Sequence, residues 1–203
     1  MKKIFTFLML IVLASCNTNP NQATTQQAQG VAKADNIYNI ETAESQIIWT
    51  GREVSTSSHY GTLDFVSGNF EISNSTIVNG EFIVDMTSIN NQDMEGDSKV
   101  RLEGHLKSDD FFSVESHPIA VLSINSSELI SDGKWNVSGD LSIKGFTHPV
   151  NFEMVSTSEG WSANLVFDRS KYDVRFRSGS FFENLGDKLI YDDIELSINL
   201  KTL

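Results

Sequence analysis

The side chains best suited to chemistry are one thiol, four histidines and a cluster of cations, and they are unevenly spread. Cys16 is the only cysteine, so an intrachain disulfide is excluded and stability must come from a packed core. His59, His105, His117 and His148 lie far apart, without the short spacing of a helical metal-ligand pair, and read as scattered surface or structural residues rather than a metal site. No Gly-x-Ser-x-Gly elbow, phosphate-binding loop or dinucleotide fingerprint is present, which points away from an enzyme and from a bound cofactor. Arg169, Lys171, Arg175 and Arg177 fall within nine residues of an otherwise acidic chain. Arg175 and Arg177 are predicted to share one face of a strand, where paired guanidiniums match phosphate oxygens by bidentate hydrogen bonds. The competing reading is that these cations neutralise Asp168, Asp173, Asp192 and Asp193.

Cys16 closes an eleven-residue apolar run, Ile4 to Ala14, that follows Met1-Lys2-Lys3. A basic start, a short apolar core and small residues before the processing point describe a secretory signal, because a bilayer-spanning helix needs roughly 20 apolar residues. Leu13-Ala14-Ser15-Cys16 resembles the lipobox of bacterial lipoproteins. That resemblance implies a signal peptide over residues 1–15, cleavage after Ser15, and a lipid anchor on Cys16 that holds the protein to a membrane of the cell envelope, facing the periplasm. The alternative is a secreted protein whose lone cysteine falls within its signal. Each buried methylene contributes about 0.8 kcal/mol, so one acyl chain anchors marginally and two or three anchor stably.

The stretch from Asn17 to Asn36 has almost no large apolar side chains and is rich in Asn, Gln, Thr and Ala. With Cys16 it is predicted to form a lipidated, disordered tether over residues 16–36, with a root-mean-square reach of roughly 25 Å. The remaining 167 residues, 37–203, make one domain, long enough to bury roughly 70% of its unfolded surface. The chain has 15 basic and 27 acidic residues, and loss of Lys2 and Lys3 with the signal takes the net charge from -12 to -14. Such a surface is repelled by phosphate backbones and anionic head groups, so no nucleic-acid partner is expected and the lipid must do the anchoring. A homodimer stays open.

The elements that must position these side chains read as β almost throughout, because apolar residues recur with period two. Trp135 to Ile143, Trp161 to Asp168 and Ile194 to Leu200 alternate most clearly. Weaker alternation covers Ile47 to Glu53, Tyr60 to Phe65, Asn69 to Ser73, Ile77 to Met86, Ile119 to Asn125 and Pro149 to Ser156, about nine strands in all. Ser67-Gly68, Ser73-Asn74-Ser75, Ser131-Asp132-Gly133, Gly145 and Ser158-Glu159-Gly160 mark the turns between them. Many short antiparallel strands with one wet face close most easily into a barrel or a sandwich. Asp97 to Phe112 breaks the pattern: Val100, Leu102 and Leu106 suit a short helix capped by Asp97 or Ser98, with Phe111 and Phe112 as its apolar foot. This insertion either plugs one barrel end or packs over the sheet as a connector.

The segment LEGHLKSDDFFSVESHPIA, residues 102–120, followed by VSGDLSIKGFTHPVNF at 137–152, closely resembles the paired signatures of YceI-like, polyisoprenoid-binding periplasmic proteins. IIWTGRE at 47–53, SHYGTLDFVSGNF at 58–70 and the stretch 167–199 support it in the same order, over nearly all of residues 37–203. The resemblance implies an all-β, lipocalin-like antiparallel barrel of about eight strands whose apolar interior holds a long isoprenoid, quinone-like or similar amphiphilic lipid, for transport or storage. The candidates for tail contact are Trp49, Phe65, Phe70, Phe82, Phe152, Trp161 and Phe167, although each taken alone reads first as ordinary core, because a filled core and a lined cavity use the same side chains. The candidates for the head group are His59, within the SHYG stretch, and Arg169, Arg175 and Arg177. The alternative function is a structural or stress-related envelope lipoprotein with a filled barrel and protein partners.

Overall fold

A computed structural model describes residues 35–55 and 57–203. Cys16, the signal and nearly all of the expected tether lie outside the described residues. Alternating side chains produce nine strands: β1 (Asn36–Asn39), β2 (Gln46–Arg52), β3 (Ser58–Ser73), β4 (Thr76–Asn91), β5 (Ile119–Ser131), β6 (Lys134–Ile143), β7 (Phe146–Thr157), β8 (Gly160–Asp168) and β9 (Asp193–Leu200). They are antiparallel neighbours in the order β1-β3-β2-β9-β8-β7-β6-β5-β4, and β4 pairs back onto β3. Strands β2 to β9 thus form a closed eight-stranded barrel, with β1 as an added strand. Closure leaves no long free edge for another chain to pair with.

The expected strands are present, with two changes. Tyr60 to Phe65 and Asn69 to Ser73 are one continuous strand, because Ser67 and Gly68 pair with Ile83 and Phe82 instead of turning, and a bulge at Val66 lies just before them. A bulge adds a residue to one strand and sharpens its bend without ending it. Gly68 is required there: a Cβ would stand 2.6 Å from the Phe82 ring. The bend lets β3 serve two partners along one edge, β2 from Ser58 to Leu63 and β1 from Asn69 to Ile72. Strand β1 was not expected, because four residues are too few to show a period. It docks because Tyr38 stacks on Phe70 at 5.0 Å between ring centroids.

The two barrel ends differ. At the end where β3 finishes, Phe70 meets Trp161 edge-on at 4.8 Å, Trp161 meets Trp135 at 5.4 Å, and Trp135 Nε1 donates to the Ser75 carbonyl at 2.8 Å. These rings fill the barrel from wall to wall, so this end is closed. At the other end lies the single α-helix among the described residues, α1 (Gly96–Lys107). It begins just before the expected cap, with Glu95 in the cap position and Asp97 in its first turn, where a carboxylate suits the helix dipole. Val100 points to solvent, and Leu102 and Leu106, one turn apart, face the barrel. Lys99 Nζ donates to Asn90 Oδ1 at 2.8 Å and Glu103 accepts from the Asn91 N–H at 2.8 Å, which fixes the helix to the end of β4.

One glycine sets the width of the barrel near this second end. Gly61 on β3 sits opposite Trp49 on β2, and a Cβ there would lie 2.7 Å from the indole and collide with the Asn90 carbonyl. Gly61→Ala is expected to cost about 1–3 kcal/mol through overpacking, measured as a lowered urea midpoint without a change in slope.

Candidate functional site

The barrel interior follows from the period-two faces. Strand β9 turns Ile194, Leu196, Ile198 and Leu200 inward, and β2 turns Ile47, Trp49 and Gly51 inward. An eight-stranded barrel has an interior just wide enough for side chains or one slender ligand. Here the side chains fill it unevenly. Above the aromatic floor, Phe65, Phe82, Phe152, Met154 and Leu165 leave a narrow void of about 70 Å³ with a wholly apolar wall. Above that, where Ala120 and Gly51 point inward, the space widens to about 300 Å³. Ile47, Val84, Ala120, Leu141 and Leu196 border both voids, so the two are consecutive stretches of one cavity.

The upper wall combines strand residues such as Met86, Ile89, Ile143 and Phe167 with Leu102, Leu106, Phe111 and Phe112 from the helical insertion. The insertion therefore forms part of the cavity wall and not a detached connector. Trp49 belongs to this wall, and its indole Nε1 has no hydrogen-bond partner among the described residues.

Polar side chains ring the mouth. His59 Nδ1 is 2.8 Å from Asp93 Oδ2, and Asp93 Oδ1 accepts from the Tyr60 N–H at 2.9 Å and from Asn91 Nδ2 at 2.6 Å. Partial burial pushes the Asp93 carboxyl up, but the hydrogen bonds from His59, Tyr60 and Asn91 outweigh it and hold the group below its usual 3.8. With Nδ1 committed to Asp93, His59 borders the cavity with its Nε2 uncommitted among the described residues. Arg52 makes a two-pronged pair with Glu195, at 3.1 and 2.9 Å. His105 Nε2 lies 3.4 Å from Asp110 and its ring packs edge-on against Phe176 at 4.4 Å.

The basic cluster does not lie on a strand. After β8 the chain makes a 3-10 turn, Arg169–Tyr172, and then crosses the mouth as an irregular loop in which Asp173 and Arg177 have positive φ, so Arg175 and Arg177 share no strand face. Short-range hydrogen bonding overrides alternation here: Asp168 caps the turn by accepting from the Ser170 N–H at 2.9 Å. Arg169 is completely buried. Its guanidinium donates to the carbonyls of Tyr191, Val174 and Ile190 at 3.2, 3.3 and 3.2 Å, and lies 3.2 Å from Asp192 Oδ1. Burial lowers its pKa, against the opposing pull of Asp192 and Asp168. Arg175 is exposed, pairs with Asp173 and covers Phe181 at 5.0 Å, outside the main cavity. These two arginines thus neutralise aspartates, as the competing reading expected. Arg177 is different. Its guanidinium makes no ion pair or hydrogen bond among the described residues, rests over Phe176 at 5.0 Å, and borders both the cavity and an outer cleft of about 480 Å³.

Of the tail candidates, Trp49 and Phe167 line the wide part of the cavity, and Phe65, Phe82 and Phe152 line the narrow part. Phe70 and Trp161 line neither and belong to the floor. Of the head-group candidates, His59, Arg169 and Arg177 border the mouth and Arg175 does not. Arg52, Glu53, His105 and Phe176 also border it, although sequence reasoning did not single them out. Only their place at strand ends and loops brings them together. Among the described residues no cluster of His, Cys, Asp or Glu is arranged to hold a metal ion.

A closed antiparallel barrel with an internal apolar cavity and a polar mouth defines the lipocalin-like class of folds. Within that class the chain belongs to the family of the YceI-like domain, whose model matches residues 38–202. It is similar in structure to Burkholderia cenocepacia BcnA, at 17% identity with a TM-score of 0.65, covering 79% of this chain and 98% of that one. It is also similar to a polyisoprenoid binding domain from Saccharophagus degradans implicated in plant cell wall breakdown, at 15% identity and TM-score 0.53, covering 80% and 95%. The Campylobacter jejuni YCEI protein matches at 15% identity and TM-score 0.50, covering 97% and 99%. At such identities the likeness speaks for the fold. None of the curated proteins matches this chain.

Two outcomes follow from the mouth. Arg169→Ala would take a donor from three carbonyls and the cation from Asp192, so a loss of about 3–5 kcal/mol is expected, as for breaking a buried ion pair, readable by thermal melting. Because the Asp93 pKa is lower in the folded state, its contribution is complete above 3.8 and is lost as pH falls below that value through the folded pKa. Asp93→Asn should flatten that part of the stability-against-pH curve, and unchanged curvature would contradict the assignment.

Proposed function

We propose that the chain is a membrane-anchored lipoprotein that binds a long-chain isoprenoid, or a similar amphiphile such as a quinone-like lipid, with its tail in the barrel. The observation that carries this reading is the cavity itself: apolar along its depth, narrowing toward an aromatic floor, and ringed by polar groups at one end only. A wide part of about 300 Å³ sits at the lower limit of small-ligand sites. It suits the end of a slender chain better than a bulky ring system. Each buried methylene contributes about 0.8 kcal/mol, and ordering and association costs bring the sum down to an ordinary affinity. The Saccharophagus degradans neighbour, a polyisoprenoid binding domain, supports the same ligand class.

The head group would lie between His59, whose Nε2 accepts or donates no bond to the described residues, and the Arg177 guanidinium, which is likewise unpaired. Arg169 acts instead on the loop that carries Arg177. This is a binding protein in our reading and not an enzyme, since the mouth presents a pairing surface and no nucleophile with an adjacent base. The lipobox-like Leu13-Ala14-Ser15-Cys16 would tether it to a membrane of the cell envelope, where it transports or stores the lipid.

Native mass spectrometry after mild extraction should show lipid on the chain carrying Cys16→Ala, which keeps binding and loses membrane retention. Ala120→Phe, placed at the neck between wide and narrow parts, should cut bound lipid about tenfold while costing about 1–3 kcal/mol of stability. A lipid-free parent chain, or full occupancy in Ala120→Phe, would overturn the tail assignment.

A further inference from the structure

The open end of the barrel carries a feature that ligand binding alone does not use. The loop across the mouth exposes Phe181 and Phe182, 40% and 49% accessible, with Tyr191 close behind in the chain at 48%. Val66, Val100 and Val166 are exposed singly and need no explanation, and the other adjacent exposed pair, Leu129 and Ile130, lies on β5 beside Trp135 at the closed end. The loop is tied down: Arg169 holds its carbonyls, the Val54 N–H donates to the Leu189 carbonyl at 3.0 Å, and Asp192 accepts from Ser178 and Ser180 at 2.9 and 2.7 Å. The two phenylalanines are therefore presented on a supported base. Between Asp173 and Tyr191, three acidic residues (Asp173, Glu183, Asp187) balance three basic ones (Arg175, Arg177, Lys188), so the loop is neutral in a chain of net charge -12. Aromatic tips on a neutral segment suit the interfacial zone of a zwitterionic bilayer, whereas the acidic barrel is repelled by anionic lipid.

The path of the chain permits the open end to meet a bilayer. The Asp35 N–H donates to the Ile72 carbonyl at the end of β3, so the polypeptide joins the barrel at its closed end, opposite the mouth. From Tyr60 to Ile72, β3 spans about 40 Å, or about 30 Å along the axis of a barrel with ordinary strand tilt. The 19 residues from Asn17 to Asp35 reach about 60 Å when extended, enough to pass the barrel. Attachment at the far end thus leaves the mouth free to face the membrane.

We propose that the loop bearing Phe181 and Phe182 docks the open end of the barrel onto a zwitterionic lipid bilayer, mouth toward the membrane, so that an amphiphile passes between bilayer and cavity without crossing water. The orientation rests on the lipid-binding and Cys16 readings above; the docking chemistry is tested apart from both. Trp49, Trp135 and Trp161 are buried, so a tryptophan placed at the surface reports contact with lipid. In the full chain carrying Cys16→Ala, Phe181→Trp should be quenched by phosphatidylcholine vesicles with brominated acyl chains. Ile37→Trp, on exposed β1 toward the closed end, should not. Phe181→Ser with Phe182→Ser should lower the vesicle-bound fraction about tenfold, the loss expected from removing two half-exposed rings from an apolar phase. Equal quenching at both positions, quenching at neither, or self-association that depends on Phe181 would overturn the proposal, the last by assigning the patch to a second copy. Lipid content of the same samples, read by mass, separates the outcomes: lipid without quenching removes docking alone, and quenching without lipid removes the carrier reading alone.

Discussion

Closure of the sheet between β3 and β4 is the constraint on which the rest depends. Both strands are sixteen residues long, far beyond the usual five or six, and a strand that long must bend to follow a barrel wall. The bulges near Phe65 and the small Gly68 supply that bend. Once the ring closes, every inward side chain points into one enclosed volume whose diameter the strand number dictates. What the chain then places inward decides whether that volume is solid or hollow.

It is made solid at one end and hollow at the other. Tyr38, Phe70, Trp135 and Trp161 supply the largest rings on the floor, whereas Gly51 and Ala120 supply the least side-chain volume near the mouth. A void in a core forfeits dispersion contacts along its whole lining. Its persistence here is a cost that a bound tail would offset, and this links the packing of the barrel to its function. The polar groups obey the opposite logic. Most of the charged ones stand at strand ends, where water or a head group satisfies them, and Arg169, the buried charge among the described residues, is satisfied by carbonyls and Asp192.

The mouth loop joins these themes. Arg169 matters whether or not a ligand is bound: by gathering the carbonyls of Val174, Ile190 and Tyr191 it fixes a segment with little regular structure. That segment presents Arg177 to the cavity and Phe181 and Phe182 to the outside. One buried cation therefore positions both the head-group candidate and the exposed aromatic pair.

The strands were legible because burial on one face of a sheet writes itself into every second residue, as in Trp135, Val137, Leu141 and Ile143. The helical insertion was legible because its spacing broke that period. Local pattern could not show that Ser67-Gly68 continues a strand rather than ending it, or that Asn36–Asn39 pairs at all, since both depend on partners distant in sequence. At the site, the family-like SHYG stretch identified His59 and the cluster of cations identified Arg177 as candidates, with Arg169 and Arg175 placed ahead of Arg177. Tertiary structure separated the four, because which guanidinium is already satisfied is a property of carbonyls and carboxylates gathered from other parts of the chain. The same applies to the cavity: composition determined that the interior is apolar, and only the closed ring of strands decided which apolar residues touch one another and which face open space.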